Sequence, residues 1–252
     1  MALGQHVMLR LSDDRVVART TGERRLLARS VLGIGREYTL LGFRAADTHV
    51  HLEAVCSEAE ARRFAWRVEV SLSRKLRLPV PFAKPRIKAI FDQGHLYGVF
   101  GYMFRQEQHH GIESDPFFEA SNLLDLLGMR LIGDYTRDNV AMYLPRMSRA
   151  KLLGFLDNPE LDTGVFQLRD LEQAAASAFA VPGLRGRGAS VVEARRAAVH
   201  AVGTQAARVA EMLGIGERAV QKIRARHVPN AATVRAVRRQ LELRSSRDLV
   251  LG

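Results

Sequence analysis

The chain has 252 residues, 47% hydrophobic and 26% charged, with 38 Lys and Arg against 27 Asp and Glu for a net charge of +11. That composition excludes a disordered chain, and the lack of a long uncharged apolar run excludes a helical membrane span. The one cysteine, Cys56, excludes an internal disulfide, fits a reducing cytoplasmic compartment and reads as a small buried hydrophobe.

The charge is uneven. Residues 185–252 hold 14 Lys and Arg against 5 Asp and Glu, a net of +9, which leaves +2 for the rest of the chain. A basic tail on a nearly neutral body predicts two parts with different jobs, the tail facing a polyanion.

In chain order, "QHVMLRL" (5–11) alternates as a strand, and residues 13–32 have helical spacing. Residues 36–44 and 49–56 are two strands joined by the turn "AADT", a hairpin. Residues 57–76 open with Ser57 and Glu60 at capping-box spacing and predict a helix. Residues 84–92 are a further strand. Residues 95–110 then predict a helix, because Leu96, Val99, Phe100, Met103 and Phe104 recur at helical spacing. This order predicts an α+β fold close to the ferredoxin-like pattern over residues 1–118, an antiparallel sheet with helices on one face. A helical extension follows over 119–180. The Gly- and Pro-rich run "FAVPGLRGRGAS" places a linker at 181–190, before an all-α domain over 191–252.

His49 and His51 lie two apart in a strand and therefore on one face, where two imidazoles can meet one ion. The pair alone fits a metal site or two histidines on a half-exposed strand. Glu53 continues the alternation, as a further ligand or a solvated carboxylate. On the helix at 95–110, Tyr102 and Gln106 are one turn apart on one face. If that helix crosses the histidine strand, a divalent cation held by two imidazoles and an amide oxygen would polarise a phosphodiester, and the tyrosine would attack phosphorus. Taken alone, Tyr102 reads better as a packing aromatic on an amphipathic helix, and Tyr97 is the rival nucleophile. A phosphohydrolase using His49, His51, Glu53 and water is a third chemistry. Lys84, Arg86 and Lys88 share a strand face suited to a DNA backbone or to plain solvation. His95, His109 and His110 read as surface residues or as phosphate or metal contacts.

In the tail, Ala210, Gly214 and the apolar set Val209, Leu213, Ile215, Val220 and Ile223 have helix-turn-helix spacing. The second helix is expected from near Glu217, with Arg218, Gln221, Lys222 and Arg224 turned outward, suited to base edges or phosphates of duplex DNA.

The strand "HVHLEAV", the preceding "YTLLGFRAADT", and "YMFRQ" after "RIKAIFDQGHL" resemble the single-tyrosine HUH transposases, nearest to the REP-associated tyrosine transposases. The likeness covers roughly residues 1–150, including "LLGMRLIG". It implies His49, His51 and Gln106 as ligands of Mg²⁺ or Mn²⁺, and Tyr102 as the nucleophile that forms a 5′-phosphotyrosine. It implies single-stranded hairpin DNA as substrate, a monomer or homodimer, and a cytoplasmic, nucleoid-associated protein. A domesticated regulator that binds DNA without cutting is the alternative. The tail resembles the Trp-repressor-like domain that ends the initiator DnaA, with "GERAV" where the initiator has its box-reading signature, and implies duplex binding.

Overall fold

The computed structural model describes residues 2–46, 48–106, 118–156 and 162–250, the last four as backbone only. The chain divides into two units, residues 1–127 with 132–159, and residues 128–131 with 160–252. No helix among the described residues is long and apolar enough to cross a membrane.

In the first unit, β1 (Gly4–Arg10), β2 (Leu40–Ala46), β3 (His49–Ala54) and β4 (Arg86–Ile90) form an antiparallel sheet in the order β2-β3-β1-β4. Alternation sends Val7, Leu9, Val50 and Leu52 to one face. There they pack against Leu27, Val31 and Leu32 of α1 (Thr21–Gly35) and Phe64, Val68 and Leu72 of α2 (Glu58–Leu76). Burying each such side chain contributes about 1.5–3 kcal/mol, which fixes the register of the sheet.

Both helix starts are capping boxes. Ser57 and Glu60 cap α2 as their spacing predicts. The helix expected from residue 13 begins only at Thr21, because Thr20 and Glu23 form a box there and Asp14 takes the left-handed region at φ 56°.

The opposite face of the sheet is covered by α3 (Gln93–Phe104), whose five predicted inward residues are all buried. It ends earlier than its periodicity suggests. Arg105 leaves helical geometry at φ −107°, ψ 22°, and its N–H turns back to the Tyr102 carbonyl. Its guanidinium lies over the Phe155 ring at 5.1 Å. Arg105 thus breaks the helix between Tyr102 and Gln106, which is itself helical. His109 and His110 lie outside the described residues.

The segment after residue 118 seals the β2 edge. The Ala45 N–H donates to the Ala120 carbonyl at 2.8 Å, and the Asn122 side chain accepts from Phe43 N–H and donates to the Leu41 carbonyl. An open edge would invite pairing with another chain. Short helices α4 (Leu123–Leu126), α5 (Tyr135–Tyr143) and α6 (Arg149–Leu153) complete the unit.

The second unit packs α7 (Leu171–Ala178), α8 (Ala189–Ala201), α9 (Ala206–Leu213), α10 (Glu217–Arg226) and α11 (Ala231–Val250) around a core rich in alanine, which lets helices approach closely. The stretch read as a helical extension thus divides between the two units. The run read as a linker is held down, because Val181 and Leu184 are buried in this second core. Gly214, at φ 61°, ends α9 in the left-handed conformation, and the Ile215 N–H returns to the Ala210 carbonyl.

Candidate active site

Sheet register builds the site. Across β3 and β1, His51 stands opposite Met8, His49 opposite Arg10 and Glu53 opposite His6. Across β3 and β2, His51 faces Arg44, and Glu53 faces Gly42. Across β1 and β4, His6 faces Lys88 and Met8 faces Arg86. Directly opposed residues share a face, so the histidines lie on the side covered by α3, amid Arg10, Arg44, Arg86 and Lys88.

The His49 and His51 rings meet edge to face with centroids 4.5 Å apart. The Tyr102 ring stands perpendicular to His51 at 5.9 Å, and Tyr102 is 40% exposed. The helix thus brings a solvent-reachable phenol over the strand that carries both imidazoles. Gln106 is buried, and its Nε2 donates to the Tyr102 carbonyl at 3.5 Å. Tyr97, the rival nucleophile, is tied elsewhere: its hydroxyl accepts from the Arg146 N–H at 2.6 Å.

A third histidine enters from β1. His6 Nε2 and His51 Nδ1 are 2.9 Å apart, with the rings stacked at 5.1 Å. Burial, then the charges of Lys88, His95 and His49, push His6 down to about 4. It is therefore neutral at physiological pH. Sequence reading missed His6 because nothing near it repeats the H-x-H spacing. Its only signal was its place in β1, and the register had to be known to use it. Arg44 was missed for the same reason. It is buried, with its guanidinium over the Phe118 ring at 4.7 Å.

Glu53 is fully buried, and neither carboxyl oxygen has a hydrogen-bond partner among the described residues. Burial pushes its carboxyl well above the ordinary range. Gly42, opposite it, leaves the room that Phe100 and Met103 of α3 occupy. Among the described residues no three His, Cys, Asp or Glu side chains stand together as a metal-holding group. Gln106, beside the tyrosine, carries an amide oxygen that could serve as a further donor.

Of the predicted backbone-contact residues, Arg86 and Lys88 belong to β4 on the histidine face, while Lys84 precedes the strand; all three are exposed. In the second unit, Arg218, Gln221 and Lys222 are exposed on α10. Gln221 Nε2 donates to Glu217 at 3.1 Å. Arg224 is half-buried, and its Nη2 donates to the Thr204 carbonyl at 2.7 Å and the Val202 carbonyl at 3.3 Å, pinning the loop between α8 and α9.

No protein-family model, curated protein or solved structure matches the chain.

Proposed function

We propose that this chain is a metal-dependent single-strand DNA endonuclease and transesterase of the single-tyrosine HUH type, nearest to the REP-associated tyrosine transposases. It would cleave and rejoin hairpin-associated DNA through a 5′-phosphotyrosine. The observation that carries the reading is the exposed Tyr102 ring, 5.9 Å from His51 and over the strand that pairs His51 with His49. The order strand, helix, two strands, helix, strand with sheet order β2-β3-β1-β4 supports it, since a ferredoxin-like sandwich has that path.

His49, His51 and the Gln106 amide oxygen would hold Mg²⁺ or Mn²⁺, both of which accept such nitrogen and oxygen donors. When bound, the ion draws charge from a phosphodiester oxygen. The Tyr102 hydroxyl attacks phosphorus, and the new ester bond forms as the bond to the 3′ oxygen breaks. The phenol gives its proton to water, and the departing 3′ oxygen takes one up. The adduct keeps an ester of similar energy, so attack by a 3′-hydroxyl reverses it without ATP. Arg10, Arg44, Arg86 and Lys88 surround the histidine face with positive charge suited to a polyanion. In the second unit, α9, Gly214 and α10 read as a helix-turn-helix that grips duplex DNA. Arg218, Gln221 and Lys222 are its outward residues, and Arg224 reaches phosphate with the donors its loop contacts leave over.

Labelled single-stranded hairpin oligonucleotides, incubated with the protein and Mg²⁺ or Mn²⁺, test this on a denaturing gel. The expected result is a labelled band at protein mass that vanishes in Tyr102→Phe while folding and DNA binding persist. One observation favours a second reading: the helix is interrupted at Arg105, between Tyr102 and Gln106. Binding without any adduct would make the chain a domesticated DNA-binding regulator.

A further inference from the structure

The outer surface of α2 lies on the side of the sheet away from the histidines, because its inner surface packs on the Val7, Leu9 and Leu52 face. On that outer surface stand Trp66, 63% exposed, and one turn later Val70, 41% exposed. Trp66 is the only tryptophan in the chain. With Ile34 of α1 they floor a groove of about 530 Å³ whose charged lining is Arg67, Arg74 and Lys75, with no acidic residue.

The three cations differ in what occupies them. Arg67 is committed to Glu37, with Nη2 2.8 Å from Oε1, and lies over the Tyr38 ring at 5.7 Å. Neither Arg74 nor Lys75 has an ion pair among the described residues. Lys75 donates to the Ser30 hydroxyl at 3.2 Å, and burial together with the like charge of Arg29 holds its ammonium below the ordinary lysine range. Arg74 and Lys75, neighbouring cations that no carboxylate among the described residues pairs, favour an anion. An open indole beside them favours a flat ring.

We propose that the Trp66 groove is a second strand-binding surface, in which an unpaired base stacks on the indole and adjoining phosphates sit against Arg74 and Lys75. Stacking on an aromatic plus contact with cations along the backbone is how single strands are held without sequence preference. Charge complementarity selects this occupant over a second copy of the chain. A two-fold contact through the groove would set the unpaired Arg74 and Lys75 against their own copies. The inference does not require cleavage at Tyr102 and stands apart from it.

Because Trp66 is the sole tryptophan, the emission of the full chain reports on the groove. Titration with unstructured oligothymidylate is expected to quench that emission saturably. Arg74→Ala and Lys75→Ala keep the indole and should each shift the midpoint about fivefold, and lower the slope of log affinity against log salt by about 0.7. Trp66→Ala should still form the Tyr102 adduct on short hairpins, so failure here and failure of the cleavage reading are told apart. Unchanged emission while the labelled oligonucleotide is bound would overturn the proposal. So would a blue shift that grows with protein concentration in the absence of DNA, which assigns the groove to a second copy. Quenching by polyglutamate as strong as by oligothymidylate would assign it to an acidic polypeptide instead.

Discussion

Arg25 of α1 and Glu119 are 1% and 2% exposed and joined by two bonds, Nε to Oε2 at 2.6 Å and Nη2 to Oε1 at 2.8 Å. Both charges have left water, so the pair depends on each partner meeting the other in this forked geometry. Glu119→Ala removes the carboxylate and should lower stability by about 3–5 kcal/mol in urea unfolding, whereas Arg25→Met with Glu119→Leu should recover most of that loss. Glu69 of α2 has the opposite problem. Burial raises its carboxyl from the ordinary 4.5 to about 7, and Oε1 has no hydrogen-bond partner among the described residues. The fold favours the protonated form, so its contribution to stability is full below 4.5 and is lost as pH rises through about 7. Glu69→Gln should therefore leave the midpoint near pH 4.5 unchanged and raise stability near pH 8 by about 1 kcal/mol, after allowing for partial exposure. Single residues whose placement follows from local spacing were legible in the sequence: His49 and His51 on one strand face by alternation, Ser57 and Glu60 by the capping box. His6 and the Arg25–Glu119 pair were not, because their partners lie 45 and 94 positions away in the chain, and the burial of Arg44 rests on the distant Phe118 ring.

At the level of elements, the placement of Tyr102 depends on how closely α3 approaches the sheet. Gly42 of β2 permits that approach, since a Cβ there would meet Met103 Cε at 2.7 Å and Phe100 Cε2 at 3.3 Å. The methionine end can swing aside, but the phenylalanine ring is packed at the helix centre. Gly42→Ala should thus lift the helix by a few tenths of an ångström, and adduct formation should slow by about tenfold while the histidine pair and overall melting change little. Unaltered adduct rates in that variant would show that the tyrosine is not held by this contact. Strand and helix order in the first unit was readable because apolar periodicity is local and each switch of period marks a new element. The ends were less so. Periodicity ran on past Phe104, but the chain left the helix at Arg105, where the guanidinium reaches the Phe155 ring, a partner that a local pattern cannot contain.

For the whole molecule, the governing quantity is where the charge sits. The net of +9 over residues 185–252 was countable before any fold was known, and its segregation from the nearly neutral remainder predicted two functional parts. The path of the chain between them was not countable. Residues 128–131 belong with the second unit and 132–159 with the first, because side chains such as Leu131 find their apolar neighbours in the distant alanine-rich core. If the second unit supplies the duplex affinity, that affinity is mainly electrostatic and must fall steeply with salt. Arg218→Ala and Lys222→Ala, both exposed on α10, should each flatten the slope of log affinity against log salt by about 0.9 on duplex DNA. They should weaken unrelated duplexes alike where they touch phosphate, and one duplex more than others where they reach a base edge. Gln221→Ala, which removes no charge, should leave the slope alone and act only on sequence preference. The same variants should form the Tyr102 adduct on short hairpins at the wild-type rate, because the proposed chemistry draws only on residues of the first unit. Loss of adduct in them would mean that the basic unit helps to load the strand onto the histidine face, and that the two parts do not work independently.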